Sequence, residues 1–280
     1  MTLSSRHIGD YPEGIVLCID KPYRWTSADV VRKVKYAAIR FFSKKNLKVG
    51  HAGTLDPLAT GVLLVCIGPA TRRAQALQDH DKEYLAGISF GATTPSYDLE
   101  KEVDRTFPTD GVNPDTIREA LRGLTGTYEQ IAPLFSAKSV DGVRAYEMAR
   151  KLYKHREEAD FDAAALDILH RSRITVHSAT LEAFSPEGCP PRTAAEETKA
   201  SSRIHVADTS ALHLPHADIR IACSKGTYIR AFARDLGEAL GTGAHLDALR
   251  RTRSGDYRVE EGLSLQEALC LFETEAVSLP

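Results

Sequence analysis

The longest apolar run in the chain is Val62-Leu63-Leu64-Val65-Cys66-Ile67, and Gly68-Pro69 ends it at once. Six residues are far too few to cross a bilayer, where a helix needs about 20. A short, β-branched run closed by turn residues reads as a buried strand. The sequence before it is of the opposite kind. Residues 44–60 have no clean period and are rich in Gly, Thr, Pro and Asp, so they read as a loop. Whatever the fold, it must carry a glycine-rich loop directly into the interior of a sheet.

The remaining pattern is mixed. Residues 14–20 read as a second buried strand. Thr26 and Ser27 are N-cap types, and Val30, Val31, Val34, Ala37, Ala38 and Phe41 then recur at helical spacing. Residues 70–80 read as helix, 83–90 as a strand ending at Gly91, 115–124 as a helix closed by Gly126, and 144–153 as another helix. Residues 172–184 alternate in places, and 218–224 put Ile219, Ile221 and Cys223 on one face, so both read as strands. Residues 228–240 read as a helix stopped by Gly241, and Ser264-Leu265-Gln266-Glu267 has the form of a capping box. Strands and helices interleave without a strict βαβ rhythm, which gives an α/β or α+β class with a mixed sheet. Residues 185–217, rich in Pro, Ala, Ser and Thr, read as a long surface insertion. Cys189, His205, Asp208, His213 and His216 lie in it, at spacings that fit no tight zinc motif, so no metal is expected.

Charge has to be read locally. Basic residues number 36 and acidic residues 38, a net charge of −2, and that average argues against a nucleic-acid partner. The distribution argues the other way. Residues 1–50 hold 10 Lys and Arg against 4 Asp and Glu, and residues 220–258 hold 8 against 4. If these segments meet in space, a near-neutral protein acquires a phosphate-binding face; solvated helix faces are the plainer explanation. The five cysteines (Cys18, Cys66, Cys189, Cys223, Cys270) are odd in number and contain no C-x-x-C pair, so neither a disulfide framework nor a zinc finger is expected. The first residues, MTLSSRHIGDYPEG, lack the apolar core of a signal peptide, and the expected compartment is a reducing cytoplasm.

Chemistry is concentrated in the loop before the apolar run, where Asp56 stands between Leu55 and Pro57. Glycines let backbone pass close to a ligand. A following proline restricts the aspartate to extended geometry and so fixes where its carboxylate points. A carboxylate nucleophile is held in this way; a turn aspartate capping a neighbouring amide has the same local sequence.

The full segment Val49-Gly50-His51-Ala52-Gly53-Thr54-Leu55-Asp56-Pro57-Leu58-Ala59-Thr60-Gly61 resembles the signature loop of the TruB family of tRNA pseudouridine synthases. Further matches follow in the family's order. These are Asp20-Lys21-Pro22 with Thr26-Ser27, Lys82-Glu83-Tyr84, and Ser136-Ala137 with Gly142, Arg144, Tyr146-Glu147 and Ala149-Arg150. Cys223-Ser224-Lys225-Gly226-Thr227-Tyr228-Ile229-Arg230 comes next, then Gly243-Ala244-His245 with Leu249-Arg250-Arg251.

The resemblance covers residues 14–260 and implies the pseudouridine synthase fold, a mixed, largely antiparallel sheet flanked by helices with a catalytic cleft. It implies one catalytic domain over 1–280 and a thumb-like RNA-binding segment near 130–155; many relatives carry a C-terminal PUA domain, but residues 263–280 are too few for one, so none is expected. It implies a monomer acting on the T-arm stem-loop of tRNA with no cofactor, metal or membrane. Asp56 would be the nucleophile. Tyr84 would stack on a flipped base, Tyr228 and Leu249 would line the pocket, and Arg230 would orient Asp56. His51 would support the flipped arrangement. Lys21, Arg72 and Lys225 would be phosphate or pocket contacts, and Arg250 and Arg251 would add to RNA binding. Asp98 stands where the family's arginine-pairing aspartate is expected. Tyr23-Arg24 replaces a glycine common after the Lys-Pro pair, so that turn is expected to differ. The rival readings are a non-catalytic RNA-binding module, against which the Asp56–Arg230–Tyr84 set argues, and a metal-dependent hydrolase, which lacks a ligand cluster.

Overall fold

In a computed structural model the chain is described at residues 3–133, 139–140, 143–144, 171–188 and 203–273. Strand β1 is Ile15–Lys21, buried at every second residue, the last of them a lysine. Helix α1 is Ser27–Phe41. Thr26 caps it, its hydroxyl accepting from the Asp29 N–H at 3.0 Å while the Asp29 carboxylate accepts from the Thr26 N–H, and Ser27, Val30, Val34 and Ala38 face inward. Strand β2 is Val49–His51 and β3 is Ala59–Ile67. After β3 the chain tightens into a 3-10 helix, Gly68–Arg73, before α2, Ala74–Gln78. The single helix expected over 70–80 is thus two, because Gly68-Pro69 opens a tighter turn than an α-helix. Strand β4 is Lys82–Phe90, followed by the hairpin of β5 (Ala92–Thr93) and β6 (Arg105–Thr106). Helix α3 is Pro114–Gly123, capped by Asn113, and β7 is Gly126–Ile131.

The two-residue strands β8 (Ser139–Val140) and β9 (Val143–Arg144) pair in the segment expected to be thumb-like, so Arg144 ends a strand; the rest of the helix expected over 144–153 lies outside the described residues. Strand β10 is Arg171–Ser185 and β11 is His216–Cys223. The expected insertion is therefore shorter, since His216 and Ala217 are buried strand; Cys189 and residues 190–202 lie outside the described residues. Helix α4 is Ile229–Ala239, β12 is Ala244–Ser254, β13 is Tyr257–Arg258 and β14 is Leu263–Ser264. Helix α5, Leu265–Cys270, carries the expected capping box on Ser264 and Glu267.

Contacts divide the chain into two compact units. One holds Met1–Leu85, Arg192–Ile204 and Ala248–Pro280, the other Ala86–Pro191 and His205–Asp247. In the first unit the strand order is β14-β1-β3-β12. β1 pairs antiparallel with Gly61–Ile67 of β3, while β14 joins β1 and β12 joins β3 in parallel. The far side of β3 is shared. β2 takes Val65–Ile67 and β12 takes Ala59–Gly61, so the loop between β2 and β3 emerges beside a strand held on both flanks. That unpaired stretch of β3 is why 49–51 form a strand inside what the sequence reads as a loop. In the second unit the order is β4 (residues 86–90), β11, β10, β7, and β10 runs antiparallel to both its neighbours. The sheet pairing is mixed and largely antiparallel, with helices against it, which is the expected class.

Candidate active site

The loop carrying Asp56 is immobilised from three directions within the first unit. Ser27, buried in the first turn of α1, accepts from the Leu55 N–H at 2.9 Å and donates to the Leu55 carbonyl at 3.1 Å. The residue before Asp56 is thereby clamped at both of its peptide groups. From a second side comes Lys21, 0% exposed at the end of β1. Its Nζ donates to the carbonyls of Trp25 at 2.5 Å, Pro22 at 3.0 Å and Pro57 at 3.2 Å. Three acceptors match the three N–H bonds of an ammonium. Burial drags its pKa down to about 7, and the negative charge of Asp56 acts in the opposite direction. From a third side comes Arg251 of β12, 2% exposed. Its Nε donates to Val62 O at 2.7 Å, Nη2 to Gly53 O at 3.2 Å and Nη1 to Thr54 O at 3.4 Å.

Asp20, Gly61 and Arg250 complete the frame. The Asp20 carboxylate accepts from the Gly61 N–H at 3.1 Å and pairs with both terminal nitrogens of Arg250, at 2.7 and 3.2 Å. Gly61 has φ +99°, and a Cβ there would lie 2.1 Å from the Arg251 carbonyl oxygen, so only glycine lets β3 and β12 approach at this point. Asp56 itself is partly exposed, and its carbonyl accepts from the Ala59 N–H at 3.1 Å in a tight turn. Leu249, half-buried, stands opposite Ala59 in the β3–β12 register. His51 ends β2. Burial and Arg251 hold its pKa below the ordinary 6.5, which leaves the ring neutral at pH 7, and its Nδ1 is buried with no hydrogen-bond partner among the described residues.

These positions correct several expectations. Of the two contacts expected of Lys21, phosphate or pocket, its burial removes the first: the ammonium is turned to three carbonyls and away from the surface. Arg251 is likewise a buried loop anchor, not an RNA contact, and Arg250 is engaged by Asp20. Arg72, on the 3-10 helix, is exposed as a phosphate contact has to be. Tyr84 lies in β4 at 8% exposure. At the Lys-Pro turn Arg24 adopts φ +59°, a left-handed geometry more usual for glycine, and its Nη2 donates to Ile204 O at 2.8 Å.

The second unit holds the other matched residues. Arg230, in the first turn of α4 and 6% exposed, has its Nε 3.6 Å from Asp98 Oδ2 and donates from Nη1 to Ser96 O at 3.2 Å. Asp98 is the arginine's partner that the motif leads one to expect, and it is held in turn by the Ser96 hydroxyl at 2.6 Å and the Glu100 N–H at 3.0 Å. Tyr228, at the N-cap of α4, is held at both peptide groups by the buried Gln130 side chain, which accepts from its N–H at 2.9 Å and donates to its carbonyl at 3.1 Å. Lys225 is exposed in the turn before it. Sequence reasoning missed Ser27, Asp20 and Gln130 as positioning residues. Asp20 stands in a matched motif and Ser27 beside the cap, so both had a signal; Gln130 had none. In the former insertion, His216 lies 2.6 Å from Asp247 and His205 2.7 Å from Glu102. Among the described residues no group of three His, Cys, Asp or Glu is placed to hold a metal ion, and no helix is long and apolar enough to cross a membrane.

Known proteins resemble this chain over most of its length. Residues 40–189 match the TruB family pseudouridylate synthase (N terminal domain), and residues 230–276 match the tRNA pseudouridylate synthase B C-terminal domain. The tRNA pseudouridine synthase B of Phocaeicola vulgatus is 45% identical over 257 residues, 92% of this chain and 92% of that one. That of Thermobifida fusca is 38% identical over 93% of this chain and 75% of its own. Among solved structures, a Cbf5-Nop10-Gar1 complex contains a chain 24% identical with TM-score 0.58, of which this chain covers 60%. An H/ACA RNP bound to a substrate RNA containing 2'-deoxyuridine gives 24% identity and TM-score 0.54, with 53% of that chain covered. This chain thus spans little more than half the length of those solved chains, and at that identity they speak for the fold. With the loop geometry and the identity to the curated relatives taken together, the chain belongs to the TruB family of pseudouridylate synthases.

Proposed function

We propose that the protein is a tRNA pseudouridine-55 synthase in which Asp56 is the nucleophile. The reaction breaks the C1′–N1 bond of a uridine, turns the base and rejoins it through C5, with no change of redox state. The observation that carries the reading is the treatment of one aspartate. Asp56 is partly exposed, while the loop around it is fixed by Ser27, Lys21 and Arg251, all buried. A partly exposed aspartate on an immobilised backbone suits attack on a fixed carbon. The names of the curated relatives, matched over nine-tenths of their length, supply the substrate class.

The target uridine lies in the T arm and has to leave its stack to be reached. His51, neutral at pH 7, suits hydrogen bonding to RNA without adding charge. Tyr84, Tyr228, Leu249 and Arg230 are assigned by motif to base stacking, pocket lining and orientation of the carboxylate; the Asp98 pair fixes the arginine's own orientation. A monomer acting in the cytoplasm completes the reading.

The test is tritium release from tRNA carrying C5-tritiated uridine. Asp56→Asn is expected to release none while still binding a T-arm stem-loop. Wild-type release by that variant overturns the assignment of the nucleophile.

A further inference from the structure

A second basic feature lies apart from the loop that holds Asp56. Lys35 of α1, Lys45, Asn46 and Lys48 of the segment after it, Gly50 of β2 and Thr71 of the 3-10 helix line a surface groove of about 550 Å³. The three lysines are exposed, and none pairs with a carboxylate among the described residues. No acidic residue lines the groove, and Arg72 and Arg73, both exposed, follow Thr71 directly. Three like charges around one concavity focus a positive potential there.

The groove is also preformed. Its central segment is fixed by the buried Leu47, whose N–H donates to Lys44 O at 3.2 Å, and by the Gly68 N–H donating to Lys48 O at 2.8 Å. Leu47 and Val49 add an apolar part to the lining, but the groove is open to solvent and its only charged side chains are lysines, which suits a hydrated polyanion. Its floor at Gly50 leads directly to His51 and then into the Asp56 loop.

We propose that this groove docks the phosphodiester backbone of the substrate RNA outside the pocket that takes the target base. The assignment rests on the reading of the protein as an RNA-modifying enzyme. Lys35, Lys45 and Lys48 make the phosphate contacts, and their role is affinity, not chemistry.

The experiment compares wild type with Lys35→Gln/Lys45→Gln/Lys48→Gln and with the charge-keeping Lys35→Arg/Lys45→Arg/Lys48→Arg. Binding of a T-arm stem-loop and of whole tRNA is measured against salt, and turnover against RNA concentration. Each lost phosphate contact lowers the slope of log K on log salt by about 0.7 to 0.9. The glutamine variant is therefore expected to lose about 2 to 3 from the slope, to bind roughly tenfold or more weakly at about 0.1 M salt, and to raise KM while keeping kcat. The arginine variant is expected to regain slope and affinity. A wild-type slope in the glutamine variant overturns the proposal, and so does failure of arginine to restore it. Failure of the functional reading is distinguishable, because the wild-type protein would then form no pseudouridine, whereas failure of the groove alone leaves turnover intact and the slope unchanged.

Discussion

Asp56 is flanked by two buried cations whose responses to substitution differ. The Arg251 guanidinium donates to three carbonyls. Arg251→Gln strands those acceptors in the interior and is expected to lower stability by roughly 3 kcal/mol. Arg250→Gln breaks a half-exposed pair with Asp20 and is expected to cost less than about 1 kcal/mol. Urea midpoints of the two variants measure the contrast, and equal midpoints count against it. Lys21 adds a pH signature. Its proton leaves near pH 7 in the fold but near 10.5 in the unfolded chain. Between those values the unfolded state binds more protons, so the stability of wild type relative to Lys21→Met is expected to rise with pH across that window. A difference that stays flat from about pH 7 to 10 refutes the assignment. The sequence marks all three residues as basic and motif-borne, yet it cannot distinguish a cation that faces water from one that faces carbonyl oxygens, and that distinction separates a phosphate contact from a loop anchor.

Among the elements, what depends on local sequence was legible. The Thr26 cap, the apolar face of α1, the strands expected over 14–20 and 62–67, and the capping box of α5 all follow from neighbouring residues. Thr26→Ala is expected to cost about 1 kcal/mol, read as a shift in melting temperature, because both halves of its capping box are present. What depends on distant partners was not legible. β2 exists because β12 leaves Val65–Ile67 of β3 unpaired on that side, and nothing within residues 44–51 announces it. The role of Gln130 is of the same kind, since its two hydrogen bonds reach a residue 98 positions away. Gly61 shows how strict such contacts are. A methyl group there would meet the Arg251 carbonyl at 2.1 Å, and the φ of +99° is closed to alanine as well. Gly61→Ala is expected to prevent the β3–β12 pairing, seen as loss of amide protection along Ala59–Gly61.

At the level of the whole molecule, the two basic stretches have separate fates. Many arginines of 220–258 are consumed locally: Arg220 by Glu182, Arg230 by Asp98, Arg234 by Asp235 and Arg250 by Asp20, with Arg251 buried. Residues 1–50 keep uncommitted charge at Lys35, Lys45 and Lys48. A net charge of −2 therefore coexists with a local positive surface, and RNA affinity is expected to fall with salt although the protein as a whole is slightly acidic. A flat dependence would refute this. Arg251 has one further consequence, for synthesis. It donates to Val62 and Gly53 across 189 and 198 residues of chain. A nascent chain on the ribosome has the whole Asp56 segment outside the exit tunnel long before codon 251 is read. Until then that segment has neither its guanidinium nor its parallel strand neighbour, so catalytic competence arrives late and abruptly, when the last strands of the chain emerge.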